Sequence, residues 1–499
     1  MGGGLIQLAA IGAQDKYLTG NPNISFFKCV YKQYTNFCME SIRIEFDGST
    51  EISSSGNQKL SCKLTRNADL ISNIYFCFEL PEIFCEEGSR KFKWIRNIGV
   101  NIIDNVSIII GGLTIDKHYG EWIYIWKELY LNTERKKNFD NLVGNMVELY
   151  NPEEYNGGTY PFCEPSHGLN NNNTIKNVPS IRGKLITTPL VFWFNNDSGL
   201  ALPLISLQYQ DVEIQIELKE LVDLYLITDP NTDNYHKPTT SNQDSLGQFL
   251  RNQDKDRYFG NQLELQCFLD VNYIFLDTEE RKMFASSAHT YLITQVFKTD
   301  SLGNISNTNI ELELQHPVKE IIWVGQRDDA IRRNDFNNYS NWIYDDIPPY
   351  KQKYLEKYDF KEVFFPHVDN NQYLQNHQKL LDFQYLKKDI IFKVDFLMNG
   401  LFRFRDKRHK YLNQIQTYQH YKNNIDGGIY AYSFSLNPTE YQPSGSCNMS
   451  RLNKINLQFD VEPIPIDEDY LYKYNFNVYT VNYNVLRIMG GLGGLQFSN

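Results

Sequence analysis

The chain has 499 residues, 41% of them hydrophobic and 14% aromatic, and a formal net charge of −11. That length exceeds one ordinary core and implies two or three domains, and that composition excludes a disordered chain. The acidic balance is repelled by phosphate and excludes duplex nucleic-acid binding as the main task; no run of about 18 apolar residues is present to cross a membrane.

The first residues lack the basic stretch of a secretory leader, and Ile6 stands where a myristoylation signal after Gly2 requires Ser or Thr. Leu5, Ile6, Leu8 and Ile11 make residues 1–25 a partly apolar arm. Beyond it the pattern is mostly period two. Residues 71–80 read as an apolar strand, and residues 106–112 as an Ile-rich strand ending in the turn Gly111-Gly112. Residues 120–131 read as a short helix, and residues 190–194 as a bulky strand buried on both faces. Val212, Ile214, Ile216 and Leu218 alternate with Glu213, Gln215 and Glu217, the signature of a strand with one wet face. A last strand of this half is expected over 265–276. Asp277 followed by Glu280 then predicts a capped helix from Thr278 to Ser286.

The second half repeats the order. Ile310, Leu312 and Leu314 alternate with charges; residues 318–324 form a strand, apolar on both faces over 321–324; residues 390–400 lead into the turn Asn399-Gly400; residues 429–436 and 455–461 follow. Corresponding elements lie roughly 240 to 290 positions apart, which fits duplication of a whole domain better than any solenoid period. Chance similarity between two β-rich halves is the alternative. Short strands, sparse helices and long loops (151–184, 222–260 and 327–375) are the pattern of antiparallel sandwiches or jelly rolls. The polar stretches 157–184, with its Asn170–Asn173 run, and 228–256 read as surface loops.

Residue chemistry points away from catalysis. Gly2-Gly3-Gly4 and Gly490-Gly491-Leu492-Gly493-Gly494 lack the strand-to-helix context of a phosphate cradle and read as flexible terminal arms. His118, three residues before Glu121, has no second ligand at metal spacing; His409 and His420 lie in a basic, aromatic stretch. No G-x-S-x-G or HExxH motif is present. No catalytic, cofactor or metal site is therefore assigned, and no enzyme activity is expected. The eight cysteines form no CxxC pair and read as buried, reduced thiols of a cytosolic protein. Arg403, Arg405, Lys407, Arg408, His409 and Lys410, interleaved with Phe402 and Phe404, fit a solvated hairpin or a subunit contact better than a single-strand nucleic-acid site, given Asp406 among them and the acidic whole. Sequons such as Asn172-Asn173-Thr174 and Asn338-Tyr339-Ser340 arise by chance in an Asn-rich chain, and none is assigned.

Seven stretches carry a family resemblance. They are LTGNPNISFFKCVYKQYTNF (18–37), IIIGGLTIDKHYGEWIYIW (108–126), PLVFWFNNDSGLALPLISLQYQDVEIQIEL (189–218), VNYIFLDTEERKMFASSAHTYLI (271–293), ELQHPVKEIIWVGQ (313–326), GGIYAYSFSLNPTEYQPSGSCNMSRLNKINLQF (427–459) and YTVNYNVLRIMGGLGGLQFSN (479–499). In this order they resemble segments of the major capsid proteins of nucleocytoplasmic large DNA viruses, of the mimivirus and phycodnavirus kind. The resemblance implies an all-β chain of two tandem eight-stranded antiparallel jelly rolls with short helices in the loops. It places an N-terminal arm at 1–25, a first roll at 26–277 with an insertion at about 219–264, a connecting helix at 278–288 and a second roll at 289–499. It implies a homotrimeric, pseudo-hexagonal capsomer that tiles an icosahedral virion shell assembled in host cytoplasm. Its partners would be neighbouring capsomers, minor capsid and penton proteins and an inner viral membrane, with no cofactor and no specific nucleic-acid binding. Loops 133–184 and 327–375 would form an outer crown. The competing expectation is a double-jelly-roll carbohydrate-binding protein or glycan-processing hydrolase, which leaves the terminal signatures unexplained.

Overall fold

Two sets of eight strands carry the fold. The computed structural model describes residues 3–163, 178–228, 235–239, 241, 244–251, 253–343, 345, 387–423, 425, 427–463 and 472–497. In chain order the first set is β1 (Phe37–Glu45), β2 (Gln58–Lys63), β3 (Leu70–Leu80), β4 (Ile103–Ile110), β5 (Leu113–Tyr119), β6 (Lys184–Pro189), β7 (Val212–Leu218) and β8 (Cys267–Leu276). The second is β9 (His289–Asn304), β10 (Thr308–Glu311), β11 (Pro317–Arg327), β12 (Ile391–Met398), β13 (Leu401–Arg408), β14 (Ile429–Ser433), β15 (Ile455–Val461) and β16 (Tyr474–Met489). Strand β17 (Leu492–Leu495) closes the chain.

The pairing is the same in both sets. The first forms sheets in the orders β1-β8-β3-β6 and β2-β7-β4-β5; the second forms β9-β16-β11-β14 and β10-β15-β12-β13. Each strand of the second set therefore occupies the place of the strand eight earlier. Two four-stranded sheets in this order, all described pairs being antiparallel, make a jelly roll. The chain is a double jelly roll.

Alternation decides which face each strand buries. Val212, Ile214, Ile216 and Leu218 are buried while Glu213, Gln215 and Glu217 are only half covered. The double-glycine turn Gly111-Gly112 and the turn Asn399-Gly400 have the positive φ values that tight two-residue hairpins need. They join β4 to β5 and β12 to β13. The helix Thr278–Ser286 links the rolls; the Asp277 carboxylate accepts from Thr278 N–H at 2.7 Å, a cap made two residues earlier than a capping box would place it. The expected helix at 120–131 is present as Gly120–Tyr130.

Three expectations change. Residues 190–194 are not a strand. β6 ends at Pro189, which has no N–H for the ladder, and the chain turns into the helical segment Trp193–Asn196. The run is apolar because Phe192, Trp193 and Phe194 are buried, not because it lies in a sheet. The C-terminal glycines are not a flexible arm: Gly490-Gly491, both at positive φ, turn β16 back into β17, where Met489 pairs with Leu492. At the other end Gly3 and Gly4 lie in the helix Gly3–Ala9.

The loops hold more structure than their polarity suggests. Thr133–Leu142 is a helix capped by Asn132, and two short helical turns follow before residue 164. Between β7 and β8, Tyr225–Thr228 pairs with Phe92–Trp94, and Phe92 stacks on Tyr225 at 5.0 Å and packs Phe249 at 5.2 Å. Leu246, Phe249 and Leu250 are buried in the stretch read as a surface loop. Arg327, Asp329, Asn334, Asn338 and Asn341 are also buried, so the first part of the 327–375 loop packs inward. The Asn170–Asn173 run and residues 346–375 lie outside the described residues. Five of the eight cysteines are buried; Cys29 and Cys38 are exposed, and Cys447 lies between.

Candidate assembly surfaces

The joint between the rolls begins at the edge strand β5. It meets edge strand β9: Gln295 Nε2 donates to the Ile115 carbonyl at 2.5 Å, and Val296 N–H donates to Asp116 Oδ1 at 3.2 Å. His118 Nε2 lies 2.9 Å from Asp116 Oδ2, and its ring stacks on Phe192 at 4.8 Å. His118 is thus a buried member of this joint and does not meet Glu121. Directly after β5, the helix Gly120–Tyr130 lies over the outer face of the second roll. Glu121 Oε2 accepts from Asn477 Nδ2 at 2.6 Å and from Tyr479 O–H at 2.5 Å, and Trp122 packs on Tyr479 at 5.6 Å.

At the far end of that helix the Tyr130 hydroxyl donates to Glu320 Oε1, while the Tyr421 hydroxyl donates to Glu320 Oε2. Glu320 is 0% exposed, and Lys319 Nζ stands 3.6 Å away, also donating to the Pro438 carbonyl at 2.8 Å. Burial first, then the Glu320 charge, pushes both phenols well above their ordinary range, so they stay donors. Burial pulls the Lys319 ammonium below its ordinary value, against the pull of Glu320.

This joint splits the alternation of the second roll between two cores. On β11, Ile321 and Trp323 pack into the second roll's own core. Their neighbours Ile322 and Val324, with Tyr479 and Val481 on β16 and Ile429 and Ala431 on β14, belong to the core of the first roll. That is why residues 321–324 are apolar on both faces. The C-terminal hairpin clasps the same joint. Tyr209 N–H donates to the Gly491 carbonyl at 3.2 Å, and Gly493 N–H donates to Gln210 Oε1 at 2.7 Å. A Cβ on Gly493 would meet Leu207 Cδ2 at 2.7 Å, so a larger residue there would have to displace that buried side chain.

The remaining chemical candidates do not converge. His409 Nε2 faces Asp389 at 3.4 Å and His420 Nδ1 faces the Leu436 carbonyl at 2.9 Å. Among the described residues no three His, Cys, Asp or Glu side chains group as metal ligands. The basic stretch lies on the solvated edge strand β13. Arg403 Nε donates to Tyr432 O–H at 3.1 Å, Arg405 lies over Phe402 at 5.1 Å, and Lys393 pairs with Asp406 at 2.8 Å. Asn338 of its sequon is buried, and Asn172 lies outside the described residues. Sequence reading missed Glu320, Tyr130 and Tyr421 as a group; the available signal was a Lys-Glu pair inside an otherwise apolar run.

The N-terminal segment, residues 1–37, is a unit by itself. It has two short helices, Gly3–Ala9 and Ala13–Thr19, neither with a buried residue. Leu5, Ile6, Leu8, Ile11, Phe26 and Phe27 are exposed, Phe27 fully.

Two jelly rolls of one strand order, fused through a shared core, define a double jelly-roll protein. Residues 25–277 match the model of the major capsid protein N-terminus, and residues 280–494 match that of the large eukaryotic DNA virus major capsid protein. The chain is 32% identical to the major capsid protein of Phaeocystis pouchetii virus and 30% identical to that of Paramecium bursaria Chlorella virus 1, each over all of both chains. It superposes on VP54 of PBCV-1, as fitted into a reconstruction of the virophage Sputnik, with a TM-score of 0.67 and 26% identity over 95% of this chain and 100% of the other. The chain belongs to the major capsid protein family of large eukaryotic DNA viruses. It is a component of the virion capsid.

Proposed function

We propose that three copies of the chain close into a pseudo-hexagonal capsomer and that such capsomers tile an icosahedral shell. The observation that carries this reading is the repetition of one strand order in two rolls joined as a single body. Two like wedges per chain and three chains per ring give six similar sectors. Such head-to-tail contacts return on themselves and do not extend into a fibre. In this reading the chain divides into an arm (1–25), a first roll (26–277, with the insertion at about 219–264), a connecting helix (278–288) and a second roll (289–499). Light scattering behind size exclusion is expected to give three times the 58.5 kDa chain mass at micromolar concentration. A stable monomer would overturn the proposal.

The arm serves assembly. Its exposed apolar side chains have no core of their own, and covering them against a neighbouring capsomer, a minor capsid or penton protein, or an inner membrane surface removes that area from water. Loops 133–184 and 327–375 contribute to the outer crown through their segments not packed inward. Neither catalysis nor specific nucleic-acid binding is part of this reading, and assembly is placed in host cytoplasm. Deleting the residues before Tyr17 is expected to leave folding and solution mass unchanged while abolishing shells; normal shells from that variant, seen by electron microscopy, would remove the arm from assembly.

A further inference from the structure

At the end of the rolls where the C-terminal hairpin turns, the loops of the first roll enclose a cavity of about 420 Å³, within the ~300–1,000 Å³ of ligand pockets. Its walls come from three places: Arg66 and Asp69 from the β2–β3 loop, Leu204 and Ile205 from the β6–β7 loop, and Phe275 with Arg281 from β8 and the connecting helix. Both arginines are held in place. Arg66 Nη2 donates to the Leu207 and Gln210 carbonyls at 2.7 and 2.9 Å. Arg281 Nε and Nη2 donate to Asp69 Oδ2 at 3.1 and 2.9 Å, and the buried Asp69 also accepts from Leu276 N–H at 2.8 Å. Among the described residues no acceptor meets Arg281 Nη1 or the Nε and Nη1 of Arg66. The second roll has the same backbone frame without these features. Ile205 N–H donates to the Asp69 carbonyl at 3.1 Å, and in the equivalent place Met449 N–H donates to the His316 carbonyl at 3.0 Å. There Met449 is fully buried in the second core, whereas Ile205 is only half-buried, and Glu313 stands three residues before His316 where Arg66 stands three before Asp69. The open, cationic cavity is therefore particular to the first roll and not a by-product of the fold.

Charge selects the ligand. Two guanidiniums and one carboxylate leave one positive charge in excess, which a single further carboxylate completes. We infer that this cavity takes an acidic side chain, together with an apolar neighbour, from a peptide segment of a second protein held against this end of the rolls. This rests on the shell reading and names one contact of it. Uncommitted N–H groups on two arginines of one cavity suit the two oxygens of a carboxylate. Leu204, Ile205 and Phe275 cover the apolar side chain beside it. The other occupants fit less well. The chain's own arm is repelled, since residues 1–37 carry Lys16, Lys28 and Lys32 against one Asp15. An anionic lipid surface asks for a cluster of roughly four to eight cations, and here there are two, one of them already paired.

The test places a photoreactive side chain in the full-length protein within purified shells, Asn67→p-benzoylphenylalanine and, separately, Gln208→p-benzoylphenylalanine. Both positions line the cavity and are exposed. Irradiation is expected to join the chain to a protein of different sequence, through a peptide that carries Asp or Glu next to an apolar residue. Arg281→Lys keeps a cation beside Asp69 but loses the second donor edge. Added to either probe variant, it is expected to cut the adduct at least fivefold while leaving the melting midpoint and the solution mass unchanged. Adducts to lipid or to another copy of this chain, a cross-linked peptide without an acidic residue, or a yield that ignores Arg281→Lys would each overturn the site. Normal shells with no adduct from either position would do the same and leave the shell reading standing. A wild type that forms no shells overturns both.

Discussion

Glu320→Ala is expected to destabilise the chain by about 3–5 kcal/mol, the cost of breaking a buried charge pair from one side. The carboxylate has no exposure to water, and three groups converge on it: the hydroxyls of Tyr130 and Tyr421 and the Lys319 ammonium. Removing it leaves Lys319 charged in a site that already disfavours that charge, and leaves two buried phenols without their acceptor. Glu320 belongs to the second roll and Tyr130 to the helix after β5, so the loss falls on the joint as well as on one roll. Lys319→Met with Glu320→Leu removes both charges and is expected to cost less than Glu320→Ala alone. Denaturant melts followed by tryptophan fluorescence measure both. A loss below about 1 kcal/mol for Glu320→Ala would show that the pair carries no weight.

Asp329→Ala is expected to cost a similar 3–5 kcal/mol, for a related reason. Asp329 accepts from Arg327 Nε and Nη2 at 2.9 and 2.8 Å and from Arg333 Nη1 at 2.7 Å, all of it buried. Arg327 also stacks on Tyr472 at 3.6 Å and donates to the Asn341 carbonyl at 2.8 Å. The cluster pins the chain where it leaves β11. Burial pushes the Asp329 carboxyl up, but the two guanidiniums outweigh it and hold it well below the usual carboxylate range. The sign of the pH effect follows. A group whose folded pKa is depressed gives its full stabilisation above its unfolded value of about 4 and loses it as pH falls toward the folded value. The gap between wild type and Asp329→Asn should therefore be constant from pH 8 to pH 5 and narrow below about pH 4. A gap that widens in acid would contradict the assignment.

Much of the fold was legible because alternation is a local property. The one-face strands at 212–218 and 455–461, the turns Gly111-Gly112 and Asn399-Gly400 and the helix after Asp277 follow from neighbours a few residues apart. Residues 190–194 failed for the reason that also makes 321–324 ambiguous. A short run apolar on every side says that it is buried, not in what conformation. The C-terminal glycines failed differently. Glycine permits both a loose end and a tight turn, and only the contact with Leu207 and Gln210, nearly three hundred positions away, selects the turn.

The sequence by itself determined the class of fold, the duplication and the family, since each depends on local pattern or on the order of motifs along the chain. The tertiary structure decided that the outer face of the second roll is the inner wall of the first roll's core, and that Glu320, Tyr130 and Tyr421 form one group. It also decided that β13 stays open where its counterpart β5 is covered. Those facts depend on which of two like surfaces the single connecting helix brings together, and a repeated pattern carries no mark of which copy is covered within the chain.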